Sequence, residues 1–208
     1  MKKFAVTLVL LIGIIVLIAL PCLAAEGKTP APEKGMMAKK TAAKAPVVKL
    51  ERVEIVSYWG YYLDGILDKE GKLTAGRRGA PLVLAFVYSL QNPNNFRIML
   101  DDLKFTVAFE GFELNTLTFF DDNYIPAKTT DYLRFNGTFD YNTANLSLLV
   151  TGGFRLQEMN VKSGDLLKKW WEGISDFTFP IMVNGTATFV GPDGKNIIVP
   201  FEGTFPSK

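Results

Sequence analysis

The 208-residue sequence contains no histidine and a single cysteine, Cys22. It therefore lacks the commonest general base, the commonest transition-metal ligand and the usual pH switch near neutrality. Disulfides, thiolate catalysis and cysteine-ligated zinc are not expected beyond the N-terminal segment that holds Cys22. Paired carboxylates are the catalytic arrangement that the composition leaves open. Since no catalytic motif is recognisable, we predict a non-enzymatic protein without cofactor or metal.

Charge is distributed unevenly along the chain. Residues 26–47 contain five Lys and two Glu, whereas residues 48–208 contain 16 basic and 19 acidic residues, a net charge of −3. Such a balance does not favour binding to phosphate backbones, which depends on basic patches. We therefore expect no nucleic-acid partner.

The first 25 residues have the order of a secretory signal. Two lysines precede an apolar run over residues 4–20, and small residues follow it near position 25, as in cleaved signal peptides. Two alternatives stay open. The run is almost long enough to remain as a membrane anchor, and Cys22 stands in a loose lipoprotein box that would make it a lipid-bearing N-terminus. All three interpretations place the domain outside the cytoplasm, in the periplasm or extracellular space, and the anchor or the lipid would attach it to the membrane.

Residues 26–47 are rich in Lys, Ala and Pro and have no apolar period. Such a segment cannot bury enough surface to offset the cost of ordering it, so we predict a flexible linker. A cationic tether for an anionic membrane surface is the alternative. The linker leaves residues 48–208 as the folded domain.

From residue 50 onward apolar and polar residues alternate, which is typical of half-buried antiparallel strands. Residues 81–90 are apolar on both faces and predict a central strand. Residues 142–153 and 163–174 show helical spacing instead, with Ser163 as a candidate N-cap and Asp165 in the first turn. We therefore predict an all-β sandwich of about seven strands, closed at one end or edge by one or two short helices. The predicted strands lie near residues 53–59, 81–90, 103–109, 114–120, 133–141, 177–189 and 197–205.

Two aromatic clusters are candidate binding surfaces. Trp59, Tyr61 and Tyr62 follow the first predicted strand and could form a recognition surface. Trp170 and Trp171 stand beside two lysines, a combination suited to a membrane interface or to ligand stacking. The alternative for both clusters is that they cover the core, with one of the two indoles pointing inward.

Two acidic doublets, Asp101-Asp102 and Asp121-Asp122, are the candidates for paired carboxylates. Carboxylates can act together as acid and base when a fold brings them close. Adjacent residues of a strand face opposite sides, so neither doublet is itself a pair. We predict strand-end turns at both positions.

Residues 83–111, VLAFVYSLQNPNNFRIMLDDLKFTVAFEG, contain an apolar strand that ends in Asn92-Pro93-Asn94 and a second strand that closes on Gly111. This pattern resembles the group 2 late embryogenesis abundant proteins, whose unit is also called the water stress and hypersensitive response domain. The sequences IPAKTT at 125–130 and FPIMVNGTATF at 179–189 are similar to later parts of the same unit. The resemblance extends over residues 50–205, with residues 152–173 as an insertion.

The resemblance implies a fibronectin type III-like β-sandwich with a flanking helix and without catalytic residues. The signal-like N-terminus, bacterial in style, makes this an exported member. It implies a role in desiccation tolerance, with stress-labile client proteins or components of the cell envelope as partners for a chaperone-like module. The many phenylalanines, the tryptophan pair and the membrane-directed N-terminus favour an alternative, an envelope module that binds lipid or another apolar ligand. The identity of the client or ligand and the oligomeric state stay open.

Overall fold

The computed structural model describes residues 43–58, 60–63, 66–67, 69–71, 73–74, 77–78 and 81–207. The predicted leader with Cys22, most of the predicted linker, Trp59 and the side chain of Tyr62 lie outside the described part. Within those residues, no helix combines the length and the apolar character needed to cross a bilayer.

Alternating apolar and polar residues produce long strands over most of the domain. The described residues form twelve strands, seven of which have eight residues or more. The strands are β1 (Val47–Ser57), β2 (Tyr62–Leu63), β3 (Ile66–Leu67), β4 (Leu73–Thr74), β5 (Arg77–Arg78), β6 (Leu82–Gln91), β7 (Ile98–Phe109), β8 (Phe112–Phe119), β9 (Asn123–Ile125), β10 (Thr130–Phe139), β11 (Ile181–Val190) and β12 (Asn196–Phe205). Three helices are present among the same residues, α1 (Tyr141–Thr151), α2 (Gly153–Glu158) and α3 (Ser163–Gly173), and a 3₁₀ turn follows at Ile174–Asp176.

The long strands form two antiparallel sheets, which confirms the predicted all-β sandwich. One sheet has the order β1-β6-β10, and the other has the order β12-β11-β7-β8, with β9 also paired to β7. Strand β6 is central in its sheet, and its residues from Leu84 to Leu90 are all buried. The apolar character of both faces of β6 therefore indicated its position correctly.

Aromatic side chains from the two sheets meet in the interior. The ring of Phe105 on β7 lies with its centre 5.3 Å from the ring centres of both Phe86 and Tyr88 on β6. Tyr88 also has its ring centre 5.3 Å from that of Phe201 on β12. These edge-to-face contacts fill the space between the sheets with interlocking rings.

The helices that the spacing predicts are present, and they lie at one end of the sandwich, one of the two locations that the sequence left open. Strand β10 pairs with β6 so that Phe139 is opposite Leu82, and α1 begins directly afterwards. Asp140 caps α1, since its Oδ1 accepts hydrogen bonds from the backbone N–H groups of Asn142 at 2.9 Å and Thr143 at 3.1 Å. This is the arrangement expected of an N-cap aspartate.

Two local predictions are wrong. Ser163 is the first helical residue of α3, and the N-cap position belongs to Lys162, which makes no side-chain capping bond; Asp165 does lie in the first turn, as predicted. The doublet Asp101-Asp102 lies inside β7 at a bulge, where the pairing with β11 shifts by one residue. Since a bulge leaves one extra residue unpaired, the strand continues past the doublet. The other doublet does lie between two strands, β8 and β9.

Candidate functional site

The Asn-Pro-Asn exit from β6 is a buried network of hydrogen bonds, and we call it the Asn corner (residues 92–94). The side chain of Asn92 is 1% exposed. Its Nδ2 donates to the backbone carbonyls of Phe96 at 2.8 Å, Ile125 at 3.2 Å and Pro126 at 3.0 Å. Its Oδ1 accepts from the backbone N of Asn94 at 3.0 Å and from the Nδ2 of Asn94 at 3.1 Å. A single amide therefore joins the end of β6 to the segment that precedes β10.

Asn94 extends the corner to the start of the described chain. Its Oδ1 accepts a hydrogen bond from the backbone N of Lys44 at 2.7 Å, and its Nδ2 donates to the carbonyl of Lys44 at 2.9 Å. Lys44, which belongs to the predicted linker, is thereby attached to the corner. The chain enters the domain at the end of the sandwich opposite to α1.

Pro93 completes the corner through its carbonyl. This oxygen accepts a hydrogen bond from the Nζ of Lys128 at 2.6 Å, while the backbone N of Lys128 donates to the carbonyl of Asn94 at 3.0 Å. The two asparagine amides thus find their partners inside the protein, as buried polar groups generally do. The Asn corner holds three segments together and does not present these amides to a ligand.

Gly111, on which the second strand of the family-like pattern closes, forms the turn between β7 and β8 together with Glu110. Both residues have positive φ, 50° at Glu110 and 80° at Gly111, as a two-residue hairpin turn of the I′ type requires. A Cβ at residue 111 would also lie only 3.1 Å from Nη1 of Arg155. The backbone conformation therefore favours glycine at this position, and a side chain would also press against the Arg155 guanidinium.

Side chains of the predicted insertion, residues 152–173, form hydrogen bonds with this turn. Arg155 of α2 donates from Nη1 to the carbonyl of Gly111 at 2.9 Å and from Nη2 to the carbonyl of Glu110 at 3.1 Å. The Glu110 carboxylate accepts from the Nζ of Lys169 at 2.7 and 2.8 Å and from the Nε1 of Trp170 at 2.8 Å. These contacts dock α2 and α3 on the hairpin, and we call them the turn clamp.

Glu110 should make stability depend on pH. Burial acts to raise the pKa of the Glu110 carboxyl, but the hydrogen bonds from Lys169 and Trp170 outweigh it and hold the pKa below its ordinary value of 4.5. A lowered pKa stabilises the fold above the unfolded-state pKa, and this contribution is lost as the pH falls through the folded-state value. Urea unfolding measures the free energy of unfolding of the wild type and of Glu110→Gln. We expect the wild type to be the more stable of the two, and the difference to be larger at about pH 7 than at about pH 3. A difference that stays constant or grows on acidification would argue against the turn clamp.

The predicted aromatic surface is largely interior. Trp170 and Trp171 are both fully buried, and the indole of Trp170 lies 5.6 Å from the ring centre of Phe109. Tyr61 is buried as well, with its ring centre 5.9 Å from that of Tyr141. The exposed-surface interpretation of Trp170, Trp171 and Tyr61 is therefore wrong. They cover the core, and both indoles point inward where one was expected.

The helices instead expose a row of aliphatic and aromatic side chains that the sequence analysis missed. Leu146 is 62% exposed, Leu149 55%, Val150 74% and Phe154 85%. Spacings of three and four residues place Leu146, Leu149 and Val150 on the part of α1 that faces away from the buried Ala144 and Leu148. Phe154 follows on α2, after the break at Gly152. We call these four residues the apolar helix face. A helix that packs on a core with one side needs a single apolar stripe. Helix α1 has apolar residues on two sides, and this was the sequence feature that could have indicated an exposed apolar surface.

Several grooves lie on the outside of the described part of the sandwich. One of about 780 Å³ crosses the outer face of β7, β11 and β12 and is lined by residues such as Thr106, Asn184 and Glu202. Another of about 490 Å³ lies beside the turn clamp. A further groove of about 400 Å³ lies between α1 and β8, and Leu146 and Val150 are among the residues that line it. Among the described residues, no three histidine, cysteine or acidic side chains are grouped so as to hold a metal ion.

The fold and these contacts define an all-β sandwich with helices docked at one end. No family model matches the sequence, and no curated protein matches it. Similar solved structures include a protein from Arabidopsis thaliana, at 16% identity and a TM-score of 0.46, over 82% of this chain and 87% of that chain. A late embryogenesis abundant protein solved in solution has 14% identity and a TM-score of 0.42, over 76% and 68% of the two chains. A protein from Archaeoglobus fulgidus has 15% identity and a TM-score of 0.37, over 77% and 98%. Likenesses this remote define neither a family nor an activity for this chain.

Proposed function

We propose that this protein is a non-catalytic protection module that binds other proteins as they lose water or begin to unfold. The apolar helix face is the observation that carries the proposal. Its four side chains stand on a helical segment that is fixed to the sandwich, so they are held in place without being covered. Contiguous exposed apolar surface on a folded domain marks an interaction site. The client would be a protein segment whose own apolar side chains have become exposed.

The composition of α1 supports a client of this kind. The helix has the sequence YNTANLSLLVT and contains no charged residue. A surface without charge does not discriminate between positively and negatively charged partners, so it suits many different unfolding proteins. Low discrimination is what a protective module needs, because the clients share exposed apolar surface and little else.

The resemblance to the group 2 late embryogenesis abundant proteins supports a role under water stress. The residues that carry it are those of the Asn corner and Gly111, which fix the shape of the sandwich. The proposed site of action is the cell envelope, because the N-terminal segment has the order of an export signal. Cleavage, lipidation of Cys22 or retention as an anchor would each bring the domain there.

The alternative, a module that stores a lipid or another apolar ligand between its sheets, has less support. Such a module needs an apolar cavity. Here the rings of Phe86, Tyr88 and Phe105 contact each other across the middle of the sandwich, and the grooves described above lie outside it. We therefore favour protein clients over a ligand held in the interior.

A combined variant tests the proposal, with Leu146, Leu149, Val150 and Phe154 all replaced by Gln. Glutamine keeps the helix propensity high and removes the apolar surface. We expect that at least about tenfold more of the variant is needed for the same protection, the ratio that a loss of ~1.4 kcal/mol in binding produces. The readout is the activity that a drying-sensitive enzyme recovers after dehydration and rehydration, together with light scattering during heating.

A matched control removes exposed apolar surface elsewhere. Phe120 is 78% exposed, Tyr132 63% and Ile198 66%, and none of them lies on the helices. The variant Phe120→Gln/Tyr132→Thr/Ile198→Thr should protect the enzyme as well as the wild type does. Equal protection by the wild type and both variants would contradict the proposal, and so would a loss confined to the control.

A further inference from the structure

The groove on the outer face of the larger sheet continues as far as helix α1. The groove of about 780 Å³ across β7, β11 and β12 and the one of about 400 Å³ between α1 and β8 are both lined by Thr106 and Glu113. The two grooves therefore meet at these residues. We call the combined depression, which runs from Glu202 on β12 to Leu146 and Val150 on α1, the outer groove.

Strand pairing arranges the floor of the outer groove as a row of polar residues. Asn184 is opposite Glu202 on one side and Thr106 on the other, and Thr106 is opposite Thr116. Because neighbouring strands lie about 4.8 Å apart, this row across four strands is roughly 14 Å long. An extended chain rises about 3.4 Å per residue, so about four of its residues cover the same length.

The outer groove carries negative charge at two separate places. Glu202 lies at the β12 end, and Glu113 lies beside the row, opposite Ala108 and next to α1, since Ser147 donates from its Oγ to the Glu113 carbonyl at 2.8 Å. Both carboxylates are exposed, and neither has an ion-pair partner among the described residues. The described lining contains no Lys or Arg, and Lys104 lies one pair further along β7. The complementary ligand is therefore positively charged.

The middle of the outer groove offers hydrogen-bonding groups that charge alone does not need. The Oγ1 atoms of Thr106 and Thr116 lie 3.0 Å apart and share one hydrogen bond, so one hydroxyl hydrogen is left to donate. The exposed amide of Asn184 has no hydrogen-bond partner among the described residues. Such groups match the N–H and C=O groups of a peptide backbone. A polyamine would leave them unused, together with the apolar end at Leu146 and Val150.

We propose that the outer groove binds an extended segment of a client protein that carries two basic side chains four residues apart. Residues four apart in an extended chain face the same side, so the two cations reach Glu113 and Glu202 together. The backbone between them meets the hydroxyl and amide row, and an apolar side chain beyond the first cation contacts Leu146 and Val150. Helix α1 itself does not discriminate by charge, and the carboxylates beside it add a preference for basic segments.

This inference deepens the proposed function and rests on it in one respect, because the segment is assigned to a client that is losing its fold. Binding of a basic extended segment stands separately, on the shape, charge and hydrogen-bonding groups of the outer groove. The two claims therefore have separate measurements, peptide binding for the groove and enzyme protection for the function.

The first experiment measures binding of a labelled peptide to the full chain by fluorescence anisotropy. The peptide has eight residues, all threonine or serine except for one leucine and two lysines four positions apart, and its matched analogue has glutamine in place of both lysines. We expect the wild type to bind the dilysine peptide at least about fivefold more tightly than the analogue, because two exposed ion pairs are added. The difference should shrink as salt is added.

Two double variants locate the charge that matters. Glu113→Gln/Glu202→Gln should abolish the preference for the dilysine peptide. Asp121→Asn/Asp122→Asn makes the same change in net charge at two exposed carboxylates outside the groove lining and should keep the preference. Equal binding of the two peptides by the wild type overturns the inference, and so does an equal loss in both variants. Spermine that binds as tightly as the dilysine peptide would mean that the groove recognises charge alone, which also overturns it.

The second experiment tests the apolar end with a double-mutant cycle. Val150→Gln should weaken binding of the leucine peptide and leave an analogue with alanine in place of leucine unchanged, whereas Ile198→Gln should affect neither. Independent effects of the two changes would contradict a contact between the leucine and α1.

The protection assay separates this inference from the proposed function. If the wild type prefers the dilysine peptide but protects no client enzyme, the outer groove stands and the proposed function fails. If the wild type protects the enzyme but shows no preference for the dilysine peptide, the proposed function stands and the inference about the groove fails.

Discussion

Replacement of Asn92 by alanine is expected to lower the free energy of unfolding by about 3–5 kcal/mol, because each buried polar group that loses its partner costs about 1–3 kcal/mol. The Asn92 amide donates to three backbone carbonyls and accepts from two donors of Asn94. Alanine removes these hydrogen bonds at a position closed to bulk water, and of the groups involved the Asn94 Nδ2 keeps its bond to the carbonyl of Lys44. The loss is large because the corner joins β6, the segment before β10 and Lys44.

Urea unfolding followed by tryptophan fluorescence measures this loss. Asn95→Ala is the control, because Asn95 belongs to the same turn and is exposed, and a surface change of this kind stays within about 0.5 kcal/mol. Asn92→Asp should also destabilise strongly, since a carboxylate cannot donate to the three carbonyls. If Asn92→Ala unfolds at the same urea concentration as Asn95→Ala, the Asn corner does not hold the fold together.

Replacement of Trp170 by alanine is expected to cost about 3–5 kcal/mol, as large-to-small changes of buried aromatics do. The indole is fully buried among Phe109, Phe112 and Phe179, so its removal opens a cavity at the junction of α3 and the β7–β8 turn. It also removes the N–H donor from Glu110. Both losses weaken the attachment of the helices to the sandwich.

Trp170→Phe separates the two contributions. Phenylalanine refills most of the cavity and removes the hydrogen bond to Glu110, so we expect a loss of about 1–2 kcal/mol. Thermal unfolding of both variants provides the measurement. A Trp170→Ala protein as stable as the wild type would mean that the indole is not a core residue and would restore the surface interpretation.

The strands were predictable because a residue period of two reports directly on a half-buried sheet. The inward set on β7, Leu103, Phe105, Val107 and Phe109, is buried as the pattern indicates. The Asn corner was predictable as a chain reversal, since proline ends a strand and asparagine suits a turn. Its hydrogen-bond partners were not, because the carbonyls of Ile125 and Pro126 are more than thirty residues away in sequence.

The apolar helix face could not be derived from the sequence for a related reason. Periodicity identifies a helix, but when apolar residues occupy two sides of it, only tertiary packing decides which side is buried. In α1 the sandwich covers Ala144 and Leu148 and leaves Leu146 and Val150 outside. The tryptophan pair is the opposite case, because residues interpreted as exposed are buried. The neighbouring Lys168 and Lys169 suggested a surface position, whereas the 3.6-residue turn of α3 directs both indoles inward.

Site-specific photo-crosslinking tests most directly whether the apolar helix face binds clients. A photoreactive amino acid placed at Val150, or at Ile198 as the reference position, is irradiated while a client enzyme unfolds on heating. We predict adducts with the client from position 150, at least about tenfold more abundant than those from position 198, and only after the client begins to unfold. Equal yields from the two positions, or adducts from position 198 alone, would contradict the account.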